Sequence, residues 1–170
     1  EVKIMNNNNG KLSKRVWTGI LLFMFMGSLA WNVENMYFNT FLSDCVYNEG
    51  AFGASLTLTD AINIMVTLSA ITAVVTTFIM GTLSEKMKKR KVFISVGYIG
   101  WGIITAAFGF ISRENVAAVF GLTDEVKILA FSVWAVIIMD MVMTFMGSTS
   151  NDSAFNAWVT DVTNPIVRPQ

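Results

Sequence analysis

The chain has 170 residues, of which 54% are hydrophobic and only 14% charged, with twelve Lys+Arg against twelve Asp+Glu. A soluble domain carries about 25% charged residues, so the composition argues against both a disordered chain and an ordinary soluble globule. With no basic excess and no histidine, and with Cys45 as the single cysteine, the sequence offers no nucleic-acid partner, disulfide framework, His–Cys metal site or His-based triad.

Residues 1–15 carry Lys3, Lys11, Lys14 and Arg15 beside the polar tract Asn6–Asn9, and read as a cytoplasmic segment. Met5 reads as a start, with residues 1–4 expected upstream of it. Four apolar runs follow, at 16–33, 61–84, 92–112 and 128–147, the last interrupted only by Asp140. Each is long enough to cross roughly 30 Å of hydrocarbon as a helix. Only a helix satisfies its own backbone there as an open segment. An all-α membrane protein follows, with helices expected at about 16–42, 57–84, 91–112 and 127–160, and a cytoplasmic loop over 161–170.

Orientation follows from the basic residues. The 43–56 loop has no Lys or Arg but has Asp44 and Glu49. The next loop carries Lys86, Lys88, Lys89, Arg90 and Lys91, and Arg168 lies near the C-terminus. Arg113 and Lys127 fall in the third loop, so ten of the twelve basic residues share one side. That side is expected to be cytoplasmic, with both ends of the chain inside a cell membrane. Cys45 itself reads as a small half-buried residue.

Polar residues inside the spans mark candidate sites. A carboxylate at membrane depth costs roughly 2.5–3.5 kcal/mol and faces a cavity or a partner. In helix one, Gly27, Ser28, Trp31, Asn32, Asn35 and Asn39 fall within about 140° of one another, with Glu34 beside them. Amides and an indole there suit a solute pathway or interhelical hydrogen bonds. In helix two, Asp60, Asn63, Thr67, Ala70, Val74 and Gly81 share a face, with Asp60 readable as a helix cap. In helix three, Ser95, Gly102, Ala106 and Gly109 read as a packing seam. In helix four, Asp140, Thr144, Gly147, Ser148, Asn151 and Phe155 share a face, Asp152 lies further round, and a bend is expected at 147–150. Asn156 completes the candidate pathway. No paired catalytic constellation is visible, so the chain does not read as an enzyme.

Between helices two and three the sequence runs Gly81-Thr-Leu-Ser-Glu85-Lys86-Met-Lys88-Lys89-Arg90-Lys91. This resembles the loop signature of major facilitator superfamily transporters: a glycine, an acidic residue four later, then basic residues. Glu85 stands where Asp is usual and Lys88 where a second glycine is usual. The stretch from Asn151 to Thr163, with Asp152 and Phe155, looks like the end of helix four in glycoside–pentoside–hexuronide cation symporters. There Asp152 would match a sugar-contacting aspartate, and Asn156 replaces an aromatic. Asp60-Ala61-Ile62-Asn63 is similar to their helix-two cation motif but lies too far before Glu85 for that site to be carried over.

The resemblance implies a fold of twelve helices in two six-helix halves, of which this chain would supply four. It would then be an N-terminal fragment that ends before helix five and packs against the remaining helices and the bilayer. It also implies uptake of a sugar or similar small polar solute by alternating access, coupled to H+ or Na+, with no other cofactor. The alternative is a self-standing four-helix exporter acting as a dimer.

Overall fold

The computed structural model describes residues 12–47 and 57–163, without the side chain of Cys45. The expectations for Asn6–Asn9, for most of the 43–56 loop, for Cys45 packing and for residues 164–170 lie outside the described residues.

Helix α1 (Lys14–Phe41) starts at Ser13, whose hydroxyl accepts from the Val16 N–H at 3.4 Å. It runs on into a wide π-type turn, Leu42–Val46. Helix α2 (Leu58–Met87) opens with a reciprocal cap. The Thr57 hydroxyl accepts from the Asp60 N–H at 3.2 Å, while the Asp60 carboxylate accepts from the Thr57 N–H at 3.0 Å and hydroxyl at 2.7 Å. Thr57 is therefore the N-cap, and Asp60 is its N3 partner in a capping box rather than the cap itself. Asp60→Ala is expected to cost about 1 kcal/mol of stability, read as a lower melting temperature in detergent.

Helix α3 (Arg90–Phe108) stops short of the expected 112. The N–H groups of Gly109, Phe110 and Ile111 reach back only three residues, at 3.2, 3.0 and 3.1 Å, which tightens and ends the helix. The expected third loop instead contains a short helix, α4 (Arg113–Phe120). Ser112 caps it by accepting from the Asn115 N–H at 3.1 Å, and Gly121 ends it at φ 63°.

Helix α5 (Glu125–Gly147) continues through a π-type segment, Ser148–Phe155, into α6 (Asn156–Val162). The π segment occupies the place of the expected bend. Its wide turns leave carbonyls short of α-type partners, and side-chain hydroxyls take them. Thr149 donates to the Phe145 carbonyl at 2.7 Å, Ser150 to Met146 at 2.9 Å and Ser153 to Thr149 at 2.8 Å.

The structure is all-helical, with four spans long and apolar enough to cross a membrane: Lys14–Asp44, Leu58–Met87, Arg90–Phe108 and Glu125–Val162. This is a multi-pass membrane protein. The fourth span is the hub, since 44% of its most apolar stretch is buried, against 11% in each of the first two spans. Helices α2 and α3 pack on both α5 and the π segment. The core joins Leu129, Val133, Ile137 and Met143 of α5 to Met65, Trp101, Phe108 and Phe38. Phe38 and Phe108 stack with ring centroids 4.1 Å apart.

The shared face of α2 is mostly exposed, and the expected packing seam of α3 is not its buried face. In α2 the buried residues are Ala61, Met65, Thr76 and Ser84, while Asp60, Asn63, Thr67, Ala70 and Val74 are exposed. In α3 they are Ile94, Gly97, Trp101 and Phe108, while Ser95, Gly102, Ala106 and Gly109 are exposed. Close packing rather than polarity selects these faces. At Gly97 a Cβ would run into the Ser150 side chain and lie 3.2 Å from the Met146 carbonyl, so only glycine fits where α3 meets the π segment.

Candidate functional site

Two carboxylates on different helices face one cavity of about 230 Å³ between α1, α2 and α5. Glu34 lies on the buried face of α1 with Gly27 and Phe38. Asp140 lies on the buried face of α5 with Val133, Ile137 and Thr144. Glu34 is only 5% exposed and Asp140 6%. The Thr144 hydroxyl donates to Glu34 Oε1 at 3.2 Å, whereas Glu34 Oε2 is buried with no partner. The Ser69 hydroxyl of α2 donates to Asp140 Oδ2. Three helices are thus joined through two acidic side chains.

Trp31, Asn35 and Asn39 line the same cavity. The Trp31 and Trp101 rings meet edge-on at 5.5 Å, against Gly147. Asn35 and Asn39 donate their amide nitrogens to the Trp31 and Asn35 carbonyls at 2.8 and 3.1 Å. The side-chain oxygen of Asn39 is buried and unpartnered. Asn32 makes the same bond to the Ser28 carbonyl at 2.8 Å, but it is exposed and does not line this cavity.

Asn151 and Asp152 belong to a separate chain of hydrogen bonds. The Tyr98 hydroxyl donates to Asn151 Oδ1 at 2.9 Å, and Asn151 Nδ2 donates to Asp152 Oδ1 at 3.1 Å. Ser148 donates to Asp152 Oδ2 at 3.0 Å. Gly27 permits α1 to approach here, since a Cβ would strike the Asn151 side chain and lie 3.0 Å from the Tyr98 oxygen. Asn156 is exposed and donates to the Asp152 carbonyl at 3.0 Å.

The α2–α3 loop lies at the opposite end of α2 from the Thr57 cap. Gly81 is half-buried, with Ser153 Cβ 3.8 Å from where its own Cβ would stand. Glu85, Lys86 and Lys91 are exposed. Arg90 Nε pairs with Asp161 Oδ2 at 2.8 Å and so ties the start of α3 to the end of α6. Lys88 adopts φ 51°, ψ 25° as it ends α2. A left-handed residue with a Cβ is strained there, so Lys88→Gly is expected to raise stability by roughly 1 kcal/mol, read by thermal melting.

Of the nine pathway residues expected from the sequence, five gather at the cavity: Trp31, Glu34, Asn35, Asn39 and Asp140. Asn151 and Asp152 sit in the Tyr98 chain, and Asn32 and Asn156 face outward. The sequence reading missed Ser69 and Tyr98 as partners of these groups. Tyr98 stands one helical turn from the buried Trp101, which is a usable signal; Ser69 has none. Among the described residues no three His, Cys, Asp or Glu side chains gather to hold a metal ion. No protein-family model, curated protein or solved structure matches the chain.

Proposed function

We propose that the chain is part of a secondary active transporter of the major facilitator type, working by alternating access on a small polar solute. The observation that carries this reading is the cavity at membrane depth, walled by three spans, into which Glu34 and Asp140 project from different helices. Buried carboxylates are too costly in a membrane to be retained as packing, and intramembrane acidic residues mark solute and ion paths. The resemblance of the 81–91 loop supports the family, and so does the left-handed backbone of Lys88, which occupies the position where the family has a glycine. The nearest branch in this reading is the sugar–cation symporters, with a gradient of H+ or Na+ as the energy source. The loop of α2–α3 and both ends of the chain then face the cytoplasm.

Six successive apolar residues, 21–26, are exposed on α1 and so cover its whole circumference. In this reading lipid covers part of that surface and the transporter's further helices cover the rest. The test is uptake by the full-length protein in proteoliposomes under imposed H+ and Na+ gradients. Accumulation that collapses with the gradient is the expected result. Solute equilibrating at the same rate with and without either gradient would sink the proposal.

A further inference from the structure

The cavity between α1, α2 and α5 is lined by two carboxylates and by further oxygen acceptors, with no cationic side chain beside them. Glu34 Oε2 and Asn39 Oδ1 are buried without partners. Both hydroxyl donors on its wall are committed, Ser69 to Asp140 and Thr144 to Glu34, and the amides of Asn35 and Asn39 each give one N–H to a backbone carbonyl. No Lys or Arg lines it. Two acidic groups and two orphan oxygens therefore await a ligand that donates hydrogens and carries positive charge. The carboxylates and the unpartnered acceptors all offer oxygen, which suits a hard cation or an ammonium rather than a soft metal. At about 230 Å³ the space far exceeds a dehydrated metal ion, and the Trp31 indole on its wall is a surface on which an organic cation rests.

We propose that this cavity binds its solute through an ammonium group, and that the solute is a small, hydroxyl-bearing protonated amine. The inference rests on the transporter reading and names the substrate class for the same site. The ammonium is held at the Glu34 and Asp140 carboxylates, and the remaining hydroxyls reach Asn39 Oδ1. A neutral sugar supplies hydroxyl donors but leaves two acidic groups uncompensated in a buried site, so it binds far more weakly.

Calorimetric titration of the full-length protein in nanodiscs, at neutral pH and fixed NaCl, tests this with glucosamine and glucose as a matched pair, and with ethanolamine. Glucosamine and ethanolamine are expected to bind, with glucose at least about tenfold weaker than glucosamine. Glu34→Gln and Asp140→Asn are each expected to weaken amine binding at least about tenfold. Glu114→Gln, on the surface of α4, is expected to change nothing. The proposal is overturned if glucose binds as well as glucosamine, if neither amine binds, or if both carboxylate variants bind amines normally. The glucosamine–glucose comparison uses the unaltered protein, so it decides even if a variant fails to fold. Amine binding without gradient-driven uptake would sink the transporter reading and leave this assignment standing. Gradient-driven uptake of glucose without amine binding would do the reverse.

Discussion

Under the proposed transport function, replacing Glu34 with glutamine is expected to lower solute uptake by the full-length protein at least about tenfold, a loss of roughly 1.4 kcal/mol or more of productive binding. Its melting temperature is expected to hold or rise. Glutamine keeps the shape of the side chain and its oxygen still accepts from Thr144. The substitution changes only a carboxyl group that is 95% buried, that lines one cavity with Asp140 and that has an unpartnered oxygen. Deleting a buried, half-satisfied carboxylate relieves desolvation, so a purely structural Glu34 predicts a protein that is at least as stable and fully active. Uptake assays and thermal melting on one preparation separate the outcomes. Normal uptake by Glu34→Gln would remove this residue from the pathway.

Gly97→Val is expected to destabilise the bundle by about 1–3 kcal/mol, among the largest packing losses any single substitution here would bring. The added atoms would meet Ser150 and the Met146 carbonyl, and the latter is backbone that cannot rotate away. The gentler pair Gly97→Ala and Ser150→Gly makes the cause testable. Ser150→Gly alone loses a hydroxyl bonded to the Met146 carbonyl. Combined with Gly97→Ala it also removes the obstacle, so the double variant is expected to lose less than the sum of the two by about 0.5–3 kcal/mol, measured by thermal or denaturant unfolding in detergent. Strict additivity would mean that α3 and the π segment do not press on each other at this point.

The spans were legible because hydropathy at membrane length is a one-dimensional property. The 61–84 run contains no charged residue, and the structure has α2 across it. The facing of those helices was not legible. Helical spacing puts Asn63 and Thr67 on one face, yet Ala61, Met65 and Ser84 are what α2 buries. Facing depends on which side chains fit a neighbour that the local sequence does not contain. Helix α4 was readable and passed over: Ser112 as cap, Glu114 in the first turn and Gly121 after the end are its signals. At the site, the sequence singles out Glu34 and Asp140 because charge inside a span is conspicuous. It cannot find their partners, because Ser69 lies 71 positions from Asp140 and Thr144 lies 110 from Glu34, and nothing local announces such a meeting.

The π segment has a consequence for the far end of its helix. A stretch of wide turns holds a residue that an α-helix would not need, and each residue of an α-helix turns the chain by about 100°. Asp161 lies beyond Ser148–Phe155, and it reaches Arg90 at 2.8 Å with that surplus in place. Drawing Ser148–Phe155 into plain α-helix would swing Asp161 about a quarter-turn away from its partner without moving α5 at all. The Arg90–Asp161 ion pair is therefore an indicator of helical register, set from a distance along the same helix by the hydroxyls of Thr149, Ser150 and Ser153.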